Sequence, residues 1–307
     1  MSKILTVTAN PAIDRVYFLK DFHIGQVHRP IKAVYTAGGK GLNVSRVCKT
    51  LDQAVLATGF LGGYTGDFIR SEVKKMGIEE RFTPIAGETR LCLNLSDQQG
   101  ISSEILESGP VISPEESEDF FDTFQTAISE ADIVTVSGSL PQGLDSHFYI
   151  TLLDIAKKHH KKVIFDVSGQ TLQDIIANKP FLVKPNKEEF LKLTGWDTFV
   201  PDKALLFLKN SGVEIPFISL GKDGAVALIE ETIYTFIVPA IHAVNTVGSG
   251  DSTIAGIATG INRGMSIYDA IRLGMAAGIT NALFERTGYV TKELVRDFYE
   301  KIQFRTL

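Results

Sequence analysis

Five short apolar runs punctuate the chain: "ILTVT" (4–8), "IVTVS" (133–137), "VIFDV" (163–167), "FLVK" (181–184) and "FISL" (217–220). Several are apolar almost throughout, the pattern of strands covered on both faces. Between them lie amphipathic segments such as "PEESEDFFDTFQTAISE" and "DSHFYITLLDIAKKHH". This alternation predicts an α/β fold: a doubly wound, mostly parallel central sheet with helices on both faces. With 307 residues, 44% of them hydrophobic, the chain can bury a core of that size.

Two regions break the rhythm. Residues 12–36 and 88–108 read as short alternating strands without helices between them. "TRLCLNL" (89–95) alternates, and "QQG" (98–100) supplies a turn. They predict a small β lid projecting from the main body, serving as a cover, a dimer face or both. There is no internal repeat or obvious linker, so 1–307 reads as one domain with that lid.

Composition narrows the function. The net charge of −5 disfavours binding to nucleic acid or to an anionic membrane, both of which need basic surface. The two cysteines, Cys48 and Cys92, form no CxxC pair, which fits a reducing cytoplasm. The first residues, "MSKILTVTANPAID", turn polar too early for a signal peptide, and no apolar run approaches the roughly 20 residues of a membrane span. The six histidines have no metal-ligand spacing.

Two glycine clusters carry most of the chemical signal. In "VNTVGSGDSTIAG" (244–256), Asp251 opens a helical pattern that Gly264 stops, and Gly248–Gly250 form the turn into it. Unpaired N–H groups and the positive end of the helix dipole suit that turn to a phosphate. The small residues Ala255, Gly256, Ala258 and Gly260 let the helix pack close to the sheet. A dinucleotide fingerprint needs a third glycine where Thr253 stands, and a Walker A loop needs Ser or Thr where Gly41 stands. In "TAGGKGLNVSRV" (36–47), Gly38, Gly39 and Gly41 permit close backbone approach, Lys40 offers a cation and Asn43 an amide that both donates and accepts. Taken singly, these clusters also read as a helix cap and an ordinary turn.

Smaller motifs follow other strands. Asp14 in "NPAID" can accept hydrogen bonds from sugar hydroxyls, beyond the end of the first strand where ligands collect in such sheets. In "VKPNKEEF" (183–190), Asn186 and Glu189 have capping-box spacing, and their oxygens also suit a hydrated Mg²⁺. "SLGKDGA" (219–225) is a strand and glycine turn, suited to a nucleotide or to a plain hairpin. "SGSLP" (137–141) ends a strand with small polar groups. Arg90, in the projecting sheet, can grip a phosphate bidentately. No G-x-S-x-G elbow is present.

Taken together and in order, "NPAID", "AGGKGLN", "TR" (89–90), "SGSLP", "KPNKEE", "SLGKDGA" and "TVGSGDS" resemble the ribokinase-like sugar kinases of the phosphofructokinase-B branch, across essentially the whole chain. Within that branch the chain is similar to the ketohexose-phosphate kinases, which make a 1,6-bisphosphate from ATP; "EILESGP" and "TGYV" lean toward those acting on tagatose 6-phosphate, with fructose 1-phosphate as the alternative. The resemblance implies a base at Asp251, with the main chain of Gly248, Ser249, Gly250 and Asp251 facing the developing charge. It implies sugar contacts from Asp14, Gly38, Gly39 and Asn43, and phosphate contacts from Lys40, Arg90 and Ser139. Lys184, Asn186, Ser219, Gly221, Gly224 and Gly250 are implied beside ATP, and Asn186 and Glu189 near Mg²⁺ through water. It also implies a lid shared in a homodimer. Rival expectations are a non-catalytic sensor of ATP or a sugar phosphate, against which the intact GSGD counts, and a nicotinamide oxidoreductase, which lacks its fingerprint.

Overall fold

Along β1 (Lys3–Thr8), Ile4 enters one apolar cluster while Leu5 and Val7 enter another. The same alternation recurs in β9 (Ala131–Ser137) and β10 (Lys162–Asp166), where Ile133 and Ile164 face one way and Val134, Val136, Val163 and Phe165 the other. A strand buried on both faces has no polar side, which is why these runs are so apolar. The computed structural model describes residues 3–98 and 102–306.

The parallel part of the main sheet runs in the order β12 (Ile215–Ser219), β11 (Leu182–Val183), β10, β9, β1, β4 (Ala54–Leu61). The short β5 (Glu79–Glu80) and β6 (Thr83–Pro84) pair with β4. An antiparallel extension, β13 (Ala225–Ile229), β14 (Thr232–Ile237) and β15 (Gln303–Thr306), continues from β12. Chain order reverses at β1: β4 lies to one side and β9 to the other. The crevice beyond the carboxyl ends of these strands is the ligand position of a doubly wound sheet.

One face carries α1 (Lys40–Thr50), α2 (Gly63–Lys75), α8 (Ser249–Asn262), α9 (Ile267–Ala282) and α10 (Lys292–Lys301). The other carries α3 (Pro114–Ile128), α4 (Ser146–Lys158), α5 (Gly169–Ala177), α6 (Lys187–Thr194) and α7 (Pro201–Asn210). Helix starts follow local chemistry. Ser113 and Glu116 close a capping box on α3, with Pro114 in its first turn. Among the described residues no helix is long and apolar enough to cross a membrane.

Ala255 and Ala258 of α8 join the core cluster beneath the sheet, as expected, but its two inner glycines act differently. A Cβ on Gly256 would stand 2.6 Å from Gly274 Cα, and one on Gly260 2.6 Å from Ala270 Cα. Both neighbours belong to α9, so these glycines allow close helix–helix packing rather than contact with the sheet.

The second sheet runs β3 (Lys32–Gly38), β2 (Ala12–Phe18), β7 (Arg90–Ser96), β8 (Ser102–Leu106). Two antiparallel pairs join through the parallel β2–β7 pair. This is the lid expected at 12–36 and 88–108; of its expected turn at 98–100, only Gln98 lies within the described residues.

Candidate active site

α8 begins at Ser249, two residues earlier than the helical pattern suggests. Its cap, Gly248, is left-handed with φ 82°. A Cβ there would meet Thr287 Cγ2 at 2.6 Å and the Gly288 nitrogen at 2.9 Å, so only glycine fits. Asn281 of α9, fully buried, braces the turn. Its Nδ2 donates to Val247 O at 2.9 Å, and its Oδ1 accepts from Gly288 N–H at 2.8 Å. The Ser249 N–H donates to Thr246 O at 3.2 Å. This amide, one of the four main-chain groups expected to face the developing charge, is therefore engaged within the turn. Gly250 and Asp251 lie in the first turn, where N–H groups have no acceptor four residues back. These two amides and the helix dipole give the helix mouth its affinity for negative charge.

Asp251 itself is 6% exposed. Its Oδ2 accepts a hydrogen bond from Asn43 Nδ2 at 2.8 Å. Burial, reinforced by the nearby Asp166 carboxylate, pushes its pKa up to about 6; Asn43, Lys40 and Lys184 pull the other way. Asp166 ends β10 and is joined by Lys184 Nζ at 3.3 Å and Lys40 Nζ at 3.7 Å. Attraction to Asp166 holds the Lys40 ammonium above its usual range. Lys40 is thus drawn toward Asp166 and the carboxylate at the helix mouth. A Cβ on Gly250 would stand 3.0 Å from Lys184 Nζ, so the glycine leaves that lysine room across the start of α8.

On the lid side, Asp14 is held at about 6, chiefly by burial, with Arg46 and Arg90 pulling it down. A Cβ on Gly38 would overlap its carboxyl group, so Gly38 supports Asp14 from below. Arg90 is tethered: Nη2 donates to Asn10 O at 3.0 Å and Nη1 to Glu107 O at 2.9 Å. Two carbonyls therefore fix the guanidinium at the junction of two cavities. One, of about 400 Å³, gathers Asp14, Gly39, Lys40, Asn43, Arg90, Lys184, Asn186, Glu189, Gly248, Gly250 and Asp251. The other, of about 600 Å³, holds Asn10, Ser137 and Ser139, and shares Lys40, Arg90 and Leu106 with the first. Ser137 Oγ and Asn10 Oδ1 have no protein partner, which leaves buried polar atoms for a polar ligand.

Ser219, Gly221 and Gly224 lie outside these walls. Ser219 neighbours Asn186 through a single bridge at the end of β12. Gly221 and Gly224 flank the turn into β13; a Cβ on Gly224 would stand 2.0 Å from Phe236 O, so the hairpin itself demands that glycine. Asn186 and Glu189 form the reciprocal capping box of α6, with bonds of 2.8 and 2.9 Å. Each uses one side-chain oxygen this way, and both residues line the smaller cavity. Among the described residues no cluster of three His, Cys, Asp or Glu residues could cage a metal. That donor set fits Mg²⁺, which keeps its waters and binds substrate phosphates, better than a dehydrated ion.

Three residues of the site escape the sequence reading. Asp166 is the lone charge in "VIFDV", and that was its available signal. Arg46 and Asn281 sit inside helical patterns, where a polar residue ordinarily reads as solvent-facing. Both are buried, Arg46 at 7% exposure.

Comparison with known proteins agrees with this fold. The profile of the pfkB family carbohydrate kinases matches residues 5–289. Tagatose-6-phosphate kinase of Staphylococcus epidermidis is 36% identical over 306 residues, covering 98% of each chain. Phosphofructokinase-2 from Escherichia coli, solved in complex with potassium, is 26% identical and superposes with a TM-score of 0.91 over 98% of this chain and 99% of that one. The same enzyme in complex with fructose-6-phosphate is 25% identical, with a TM-score of 0.89 over 98% of this chain and 99% of that one.

Proposed function

The chain belongs to the pfkB family of carbohydrate kinases, and from that membership we propose that it transfers the terminal phosphoryl group of ATP to a free hydroxyl of a ketohexose monophosphate, giving the 1,6-bisphosphate. Tagatose 6-phosphate is the preferred acceptor, on the strength of the Staphylococcus epidermidis relative. The observation that carries the reading is Asp251: a buried carboxylate at a helix mouth, in one cleft with Asp14, Arg90 and Lys184.

In this reading Asp251 takes the proton of the acceptor hydroxyl. Its pKa of about 6 leaves it ionised at neutral pH, yet basic enough for the task. The Gly250 and Asp251 N–H groups and Lys184 face the transferring phosphoryl, where positioning and charge stabilisation supply most of the rate. Asp14, Gly39 and Asn43 hold sugar hydroxyls. Arg90 and Ser139 take the acceptor's phosphate in the adjoining cavity, with Lys40 between the two ends of the reaction. Ser219, Gly221 and Gly224 border the nucleotide. Asn186 and Glu189 would hold Mg²⁺ through water, and the ion would supply positive charge against the phosphate oxygens. Residues 1–307 act as one kinase domain closed by the lid, in a cytoplasm that keeps Cys48 and Cys92 as thiols.

A coupled ADP-release assay with tagatose 6-phosphate, fructose 6-phosphate and fructose 1-phosphate tests the proposal. Release well above the ATP-only rate is expected, greatest with tagatose 6-phosphate. Background rates with all three overturn it. Arg90→Ala is expected to raise the acceptor KM roughly 10- to 150-fold, as loss of a charged hydrogen bond worth about 1.5–3 kcal/mol implies. An unchanged KM removes Arg90 from the phosphate site.

The lid pairs two copies in this proposal. Tyr35, Arg15, Leu93 and Ile105 form one row across its four strands by register. Tyr35 and Ile105 are exposed, an apolar pair that a second lid would cover. Sedimentation should give twice the chain mass, and Ile105→Lys should halve it. A parent that sediments as one chain ends this part of the reading.

A further inference from the structure

Arg46 lies on α1 one turn beyond Asn43 and takes no direct part in the transfer described above. It is 7% exposed, and its guanidinium makes three bonds. Nη2 donates to Ala37 O at 2.6 Å, at the stem of the lid. Nη1 donates to Thr287 O at 3.2 Å and to Asn43 Oδ1 at 2.9 Å. Gly288 leaves space for this arrangement: a Cβ there would stand 2.8 Å from Nη1.

The chemistry of the chain Arg46–Asn43–Asp251 has only one consistent orientation. Guanidinium donates and never accepts, so the amide atom beside it must be Oδ1. An ionised carboxylate only accepts, so Nδ2 must face Asp251. Both contacts are present, at 2.9 and 2.8 Å. We propose that Arg46 is a positioning residue: it locks the Asn43 amide with Nδ2 toward Asp251, and it holds the lid stem and the 287–288 loop around that lock. The inference rests on the reading of Asp251 as the base.

Without the fork of Arg46, the amide is free to turn its oxygen toward Asp251. That orientation favours the protonated acid and disables the base. Asp251 is also faced by Lys40 from α1, Asp166 from β10 and Lys184 beyond β11. Arg46 is faced by Asp14 from β2, Glu72 from α2 and Arg286 from the loop after α9. All of these persist in an Arg46→Lys variant, which keeps the charge and removes the fork.

The test uses the full chain and four variants: Arg46→Lys, Arg46→Met, Asn43→Ala and the Asn43→Ala/Arg46→Lys double. Arg46→Lys is expected to lower kcat about 10- to 100-fold, with KM for ATP changed less than about threefold. The acid midpoint of its kcat–pH profile should rise by about one pH unit. Because Arg46 acts through Asn43, the double variant should be no slower than Asn43→Ala alone. Arg46→Met, which also loses the charge, should shift the midpoint further; if it does not fold, Arg46→Lys and the cycle still decide. Additive losses, or a lowered kcat with an unmoved acid midpoint, overturn the proposal and leave Arg46 a packing residue. Failure of the underlying reading shows separately, as parent-like turnover in Asp251→Asn.

Discussion

Asp251→Asn should cut turnover by about 10²–10⁴-fold, the usual contribution of a general base, while leaving ATP binding largely intact and making the protein more stable at neutral pH. The gain follows from burial. The folded state keeps the Asp251 proton up to a pH of about 6, whereas an unfolded chain releases it near 3.8. Between those values the folded state binds more protons, so stability falls as pH rises through the window. The difference, about 6 less 3.8, is roughly two pH units, equivalent to about 3 kcal/mol at most. The asparagine variant escapes that cost and can still accept the hydrogen bond from Asn43. Urea unfolding of parent and variant at pH 4 and pH 8 measures it: the gap should be small at pH 4 and large at pH 8. Parent-like turnover, or a gap independent of pH, contradicts the assignment.

Removal of Asp166 should act in the opposite direction on stability. This carboxylate is 3% exposed and pairs with Lys184 and Lys40. In Asp166→Ala, Lys184 remains buried without its partner, and breaking such a pair costs about 3–5 kcal/mol. Asp166→Asn keeps the shape and some hydrogen bonding, so a smaller loss is expected. Both variants also relieve the repulsion that helps to hold Asp251 protonated. The acid limb of the kcat–pH profile should therefore move below its parent position near pH 6. A variant of parent stability, or an acid limb that stays in place, removes Asp166 from the electrostatics of the site.

The parallel sheet was legible because buried strands have nothing polar to contribute, and runs such as "ILTVT" are too apolar to be anything exposed. The lid was legible because "TRLCLNL" alternates. Of the antiparallel extension only the hairpin at "SLGKDGA" was legible, as one of two readings; β14 was not singled out, and β15 has only four residues, with no period to read. In the site, residues at glycine turns announced themselves because glycine restricts the backbone locally. Asp166, Arg46 and Asn281 did not, because their partners are distant in sequence. Asn281 reaches Val247, and Arg46 reaches Thr287, 241 positions away. Such pairings exist only once the chain has folded. Capping was legible by contrast: Asn186 and Glu189 were correctly readable as a capping box, a role that takes one side-chain oxygen from each.

The shared wall between the two cavities bears on inhibitor design. Lys40 and Arg90 border both spaces, so two weakly held fragments, one lodged in each, could be tethered across that boundary without threading through the protein's interior. Joining them turns the second capture into an intramolecular event, and the tethered compound gains strength from effective concentration rather than from new contacts.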